Sequence, residues 1–114
     1  MNKSTTAGLQ SCIDLCQHCH EICVETLTHC LEKGGDHAEP NHVGLMLDCA
    51  EICQTSANFM MRESNLHIEV CRACAAICAR CADDCAKFEN DEEMALCAEA
   101  CRACAAACRE MAPA

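Results

Sequence analysis

Cys97-Ala98-Glu99-Ala100-Cys101-Arg102-Ala103-Cys104-Ala105-Ala106-Ala107-Cys108 places four cysteines at steps of four, three and four in a run of strong helix formers. At about 100° per residue these steps hold the four thiols in a stripe less than about 90° wide on one face of a helix. The same steps recur at Cys12, Cys16, Cys19 and Cys23, and again at Cys74, Cys78, Cys81 and Cys85. A fourth segment keeps the frame with Cys49, Cys53, Ser56 and Met60, so two thiols are replaced there while the positions persist. Cys30 extends the first row by seven residues and Cys71 the third by three.

Breaks between these rows are few. Lys33-Gly34-Gly35-Asp36-His37-Ala38-Glu39-Pro40-Asn41 reads as a loop, with Gly ending one helix and Asn41 available to cap the next. Glu63-Ser64-Asn65 and Phe88-Glu89-Asn90-Asp91 read as tighter turns, with Asn90 or Asp91 as cap and Glu92 and Glu93 favoured by the helix dipole. The spacing predicts helices over about 4–33, 41–63, 66–88 and 91–111. Short connections make neighbours antiparallel, so the expected fold is all-α: one domain over 1–114, an up-down-up-down four-helix bundle with a Cys-lined core.

Sixteen cysteines in 114 residues demand a chemical explanation. Simple core filling explains them poorly, because Leu would bury more apolar area than Cys at every one of these positions. A secreted disulfide scaffold would be rich in loops, whereas this chain has four Gly and two Pro. Along a helix, residues three or four apart have Cβ atoms about 5–6 Å apart, and a disulfide needs about 3.5–4.5 Å. The pairs Cys16/Cys19, Cys71/Cys74, Cys78/Cys81 and Cys101/Cys104 have the Cys-x-x-Cys spacing of redox motifs but lack a βαβ context. Bridges between helices remain open to the chain, yet a row of five facing a row of two would leave partners unmatched, and a metal site is the better reading.

Thiolate selects soft ions: Cu(I), zinc, cadmium or iron–sulfur clusters. Buried thiols stay protonated in an apolar surrounding, so exchanging each proton for one Cu(I) leaves the interior neutral. Four zinc ions in tetrathiolate sites would instead leave about eight negative charges inside the bundle, at several kcal/mol of desolvation per ion. Cu(I) also accepts two or three thiolates, so thiols at i and i+3 or i+4 can share ions along a row. Cubane clusters usually recruit Cys from loops.

Cys12-Ile13-Asp14-Leu15-Cys16-Gln17-His18-Cys19, Cys71-Arg72-Ala73-Cys74-Ala75-Ala76-Ile77-Cys78 and Cys97-Ala98-Glu99-Ala100-Cys101-Arg102-Ala103-Cys104 resemble the bacterial copper storage proteins, and the resemblance covers nearly the whole chain. It implies reversible storage of many Cu(I) ions inside each bundle, a His/Met-rich mouth at one end, and association into a homotetramer. Ser56 and Met60 depart from the pattern. A zinc- and cadmium-buffering protein of metallothionein type is the alternative.

The expected ligands are therefore Cys12, Cys16, Cys19, Cys23, Cys30, Cys49, Cys53, Cys71, Cys74, Cys78, Cys81, Cys85, Cys97, Cys101, Cys104 and Cys108. Antiparallel topology gathers Cys30, His37, His42, Met46, Cys85 and Met94 at one end. Imidazole and thioether bind Cu(I) with no proton to lose, so His42, Met46 and Met94 are the expected entrance. Cys12, Met60, His67, Cys71, Cys108 and Met111 fall at the other end, where His67 either ligates or simply starts a helix. His18, His20 and His29 read as solvated.

A formal charge of −10 and a pI near 4.8 make nucleic acid and anionic membranes poor partners and give a solvated acidic face. A basic copper chaperone is a partner of fitting charge for that face, although no motif marks a docking site for one. Two Phe, no Trp and no Tyr remove the aromatic stacking platforms of single-strand binders. Met1 to Gly8 show no apolar signal core, so the expected location is the cytoplasm. Val43, Leu47 and Met61 point away from the thiol seam and suit contact with another subunit. No phosphate loop, nucleophile elbow or open zinc motif appears, so no enzyme is expected.

Overall fold

The computed structural model of the chain describes residues 3–113. Four helices, α1 (Lys3–Lys33), α2 (Pro40–Met61), α3 (His67–Ala86) and α4 (Glu92–Met111), form a rod of 48 × 23 × 21 Å. Each helix packs on two neighbours: α1 on α2 and α4, and α3 on α2 and α4. The diagonal pairs have no close backbone approach and meet only through side chains at the axis, which is the arrangement short antiparallel connections impose. Among the described residues there are no strands.

Helix α1 stops at Gly34, whose φ of +70° is open to glycine at little cost and whose N–H reaches the Cys30 carbonyl at 3.1 Å. A 3-10 turn over Gly35–Ala38 follows. The cap of α2 is Glu39 rather than Asn41, a correction to the sequence reading. Pro40 disfavours helical geometry in the residue before it, so Glu39 stays extended and its carboxylate accepts from the N–H groups of Asn41 and His42 at 3.1 and 3.2 Å. The α2–α3 turn closes with Glu63 at φ +52°, Glu63 N–H donating to Met60 O and Ser64 N–H to Phe59 O. Asp91 caps α4 as expected, with Oδ1 accepting from Met94 N–H at 3.2 Å.

All sixteen cysteines face the bundle axis, and none is more than 1% exposed. Ser56 and Met60 take the remaining frame positions of α2 and are fully buried with them. Buried alanines sit one residue after frame positions: Ala50, Ala57, Ala75, Ala82, Ala98 and Ala105. Their small side chains flank the thiol rows where helices meet, so sulfur atoms reach the axis from all four sides.

Candidate metal centre

The thiols form a nearly continuous column. From the end near the α2–α3 turn, Cys12 lies 3.7 Å from Cys108, Cys108 3.6 Å from Cys16, and Cys16 3.5 Å from Cys104, all sulfur to sulfur. Cys53 continues to Cys78 at 3.4 Å, Cys78 to Cys49 at 3.6 Å, and Cys19 to Cys101 at 3.7 Å. Cys23 then reaches Cys97 at 3.8 Å and Cys97 reaches Cys85 at 3.9 Å. These are contact distances between free thiols, well beyond the roughly 2.05 Å of a disulfide.

Three groups bring four sulfurs within 4.8 Å of one another: Cys16, Cys74, Cys104 and Cys108; Cys19, Cys53, Cys78 and Cys104; and Cys19, Cys23, Cys49 and Cys101. A fourth holds Cys12, Cys71 and Cys108. Every group draws on at least three helices, and Cys19, Cys104 and Cys108 each belong to two groups. Thiols at i and i+3 or i+4 can share an ion along a row. The bundle brings them together mainly across helices, with Cys74 and Cys78, 3.7 Å apart, as a direct contact within one row.

Electrostatics inside the column are set by two facts. The buried polar and charged residues are Thr26, His42 and Ser56, so no Lys or Arg enters the interior among the described residues. Thiols also share protons pairwise. Hydrogen bonding to Cys19 raises the Cys101 pKa while the same contact lowers that of Cys19. Cys104 and Cys108 divide in the same way, Cys104 raised and Cys108 lowered by their mutual bond. Near the two ends, burial pushes Cys30 up to about 11, and hydrogen bonding to Cys108 pushes Cys71 up to about 11.

At the end near the α1–α2 and α3–α4 connections, Cys30 Sγ lies 3.3 Å from His42 Nε2, 3.5 Å from Met94 Sδ and 3.7 Å from Met46 Sδ. His42 is 1% exposed, so this imidazole is part of the core. Its Nδ1 lies 2.5 Å from Asp84 Oδ2. Burial works against ionisation of Asp84, but hydrogen bonds from Lys87 and His42 hold its carboxyl below the ordinary value. Asp84 thus fixes the tautomer with Nδ1–H outward and the Nε2 lone pair inward, an orientation typical of metal-ligating histidine. Sequence reasoning missed Asp84. The only available signal was its place one residue before Cys85, at the right end of the bundle.

The other histidines divide. His29, expected in solvent, is half-buried, because its Nε2 donates to Asp91 Oδ2 at 2.8 Å and is thereby held against the bundle. His37 Nε2 meets the same oxygen at 2.9 Å. His20 is also only partly exposed, its Nδ1 2.6 Å from the Ala50 carbonyl, whereas His18 is exposed. At the far end His67 directs Nδ1 to the Ser64 carbonyl at 2.8 Å, and Ser56 Oγ lies 3.5 Å from Cys71 Sγ. Leu47 and Met61 are exposed on the outer surface, while Val43 is half-buried.

A sequence model of the family described as copper storage protein matches residues 5–113. None of the curated proteins matches the chain. Among solved structures, a protein of Nitrosospira multiformis is 47% identical, with a TM-score of 0.89 over 94% of this chain and 96% of that one. The Cu(I)-bound copper storage protein 3 of Bacillus subtilis is 34% identical, with a TM-score of 0.85 over 92% and 98% of the two chains. A cytosolic copper storage protein of Streptomyces lividans, with five coppers loaded, is 32% identical, with a TM-score of 0.85 over 92% and 83%.

Proposed function

This chain belongs to the copper storage protein family, and on that premise we propose that it stores many Cu(I) ions on the thiolates of its core. The observation that carries the reading is a column of sixteen buried thiols in an interior that, among the described residues, holds no buried Lys or Arg. Such an interior has no cation to offset the two surplus charges of each tetrathiolate zinc site. Cu(I) replaces one proton with one positive charge, so filling the column keeps it neutral. Thiols shared between groups, Cys19, Cys104 and Cys108, suit ions that accept bridging sulfur.

In this reading all sixteen cysteines hold copper, and Cys30, His42, Met46 and Met94 receive it. The first ion meets two thioethers and an imidazole that need lose no proton, then passes to Cys30; beyond it the column from Cys85 and Cys97 inward runs on sulfur contacts of 3.4–3.9 Å. The role is storage without catalysis, by one bundle as a single unit, in the cytoplasm. Among the described residues no helix is long and apolar enough to cross a membrane. Exposed Val24 and Leu47 line one surface groove between α1 and α2 and support assembly into a homotetramer, to be checked by light scattering. Metal delivery by a copper chaperone with a basic face fits the net charge of −10.

Titration of the reduced protein with Cu(I) and with Zn(II), each against a competing chelator after thiols are counted, tests the reading. Tight uptake on the order of one Cu(I) per Cys is expected. Tight zinc at about one ion per four Cys, with weak Cu(I) uptake, would replace it with a zinc and cadmium buffer.

A further inference from the structure

Outside the thiol column, three side chains from three elements converge: His29 of α1, His37 of the 3-10 turn and Asp91 at the cap of α4. Both imidazoles use Nε2, and both meet one oxygen, Asp91 Oδ2, at 2.8 and 2.9 Å. The other oxygen, Oδ1, is occupied by Met94 N–H, so capping α4 fixes the carboxylate and leaves Oδ2 for the histidines. His29 Nδ1 lies 3.3 Å from Glu93 Oε2, a carboxylate able to accept Nδ1–H and so aim the Nε2 lone pair at a cation. The rings are packed in place, His37 against Phe88 at 4.1 Å between centroids and His29 edge-on to His37 at 5.8 Å.

Phe88 separates this group from the mouth, since it also meets the His42 ring, 4.9 Å away. His29 and Asp91 open onto a surface cleft of about 260 Å³ that Glu92 and Glu93 also line, with Lys33 as the single basic side chain there. Three carboxylates against one ammonium give the cleft a negative field, and it leaves room for water as a further ligand. Two imidazole nitrogens and a carboxylate oxygen form a ligand set for a borderline divalent ion rather than for Cu(I) on thiolate. Tetrahedral zinc would hold such atoms about 3.3 Å apart, which asks the two nitrogens to retreat from Oδ2 by less than about 0.5 Å each.

We infer that His29, His37 and Asp91 form a second, sulfur-free metal site that takes one borderline divalent first-row cation at the outer rim of the bundle. The inference does not depend on copper storage, because it concerns none of the thiols. Zn(II) is the probe, added both to the Cu(I)-loaded protein and to the reduced protein, with histidine ring ¹⁵N resonances as the readout. Nε2 of His29 and of His37 should shift together to the coordinated range while exposed His18 stays unchanged, and Asp91→Asn should require at least about tenfold more Zn(II). Asn is as good a helix cap as Asp, so that variant keeps α4 intact. Three results would each overturn the site: rings that respond only with His18 at large excess, a response confined to His42, or one unaltered by Asp91→Asn. If Cu(I) fails to load while His29 and His37 still respond, storage falls and this site stands.

Discussion

His42 Nδ1 and Asp84 Oδ2 are 2.5 Å apart, on two different helices, and this contact points the other imidazole nitrogen at Cys30. A buried histidine held in one tautomer by a carboxylate is prepared to bind metal without rearranging.

Removing that carboxylate should therefore act on the rate of filling. Asp84→Ala is expected to slow Cu(I) uptake by about tenfold while the number of ions finally bound stays near that of the parent. Replacing His42, Met46 and Met94 together by Leu should slow it further with nearly unchanged capacity. Stopped-flow transfer from a chromophoric Cu(I) chelator measures both, and uptake as fast as the parent's would remove the mouth from the mechanism.

Cys30 carries a testable pH dependence. Burial raises its pKa to about 11, so at neutral pH the thiol is protonated and Cu(I) must displace that proton. Binding at this residue should tighten by about tenfold per pH unit as pH rises, up to the thiol pKa. Cys30→Met keeps a soft ligand with no proton to lose, and chelator competition across neutral to mildly alkaline pH should show a flatter slope for it.

Ser56 occupies a buried frame position 3.5 Å from Cys71, where the other three helices carry sulfur. Ser56→Cys should fit with little strain and add about one Cu(I) to the total. Copper per protein after gel filtration checks this, and an unchanged count would mean that the end holding Cys12, Cys71 and Cys108 does not fill.

Shared and unshared thiols should differ. Cys104 belongs to two of the four-sulfur groups, whereas Cys85 belongs to none of them and touches Cys97 at 3.9 Å. Cys104→Ala should lose about two ions and Cys85→Ala about one. Elemental analysis of the loaded variants reads the difference, and equal losses would argue against bridging at Cys104.

The sequence alone determined the four helices and the face each turns inward, because steps of four, three and four leave one stripe of a helix lined with thiols whatever lies opposite. It also determined the antiparallel order, since connections as short as Glu63-Ser64-Asn65 allow no other. It did not reveal which sulfurs meet. That Cys19 touches Cys49 and Cys101, on α2 and α4, depends on how far each helix slides along its neighbours, and alanine contacts and turn geometry set that slide only when all four helices pack. The tertiary structure likewise decided that Asp84 orients His42 and that His29, read as solvated, joins His37 on Asp91. Periodicity within a helix reports the face a side chain occupies, whereas a partner on another element is fixed only when the bundle closes.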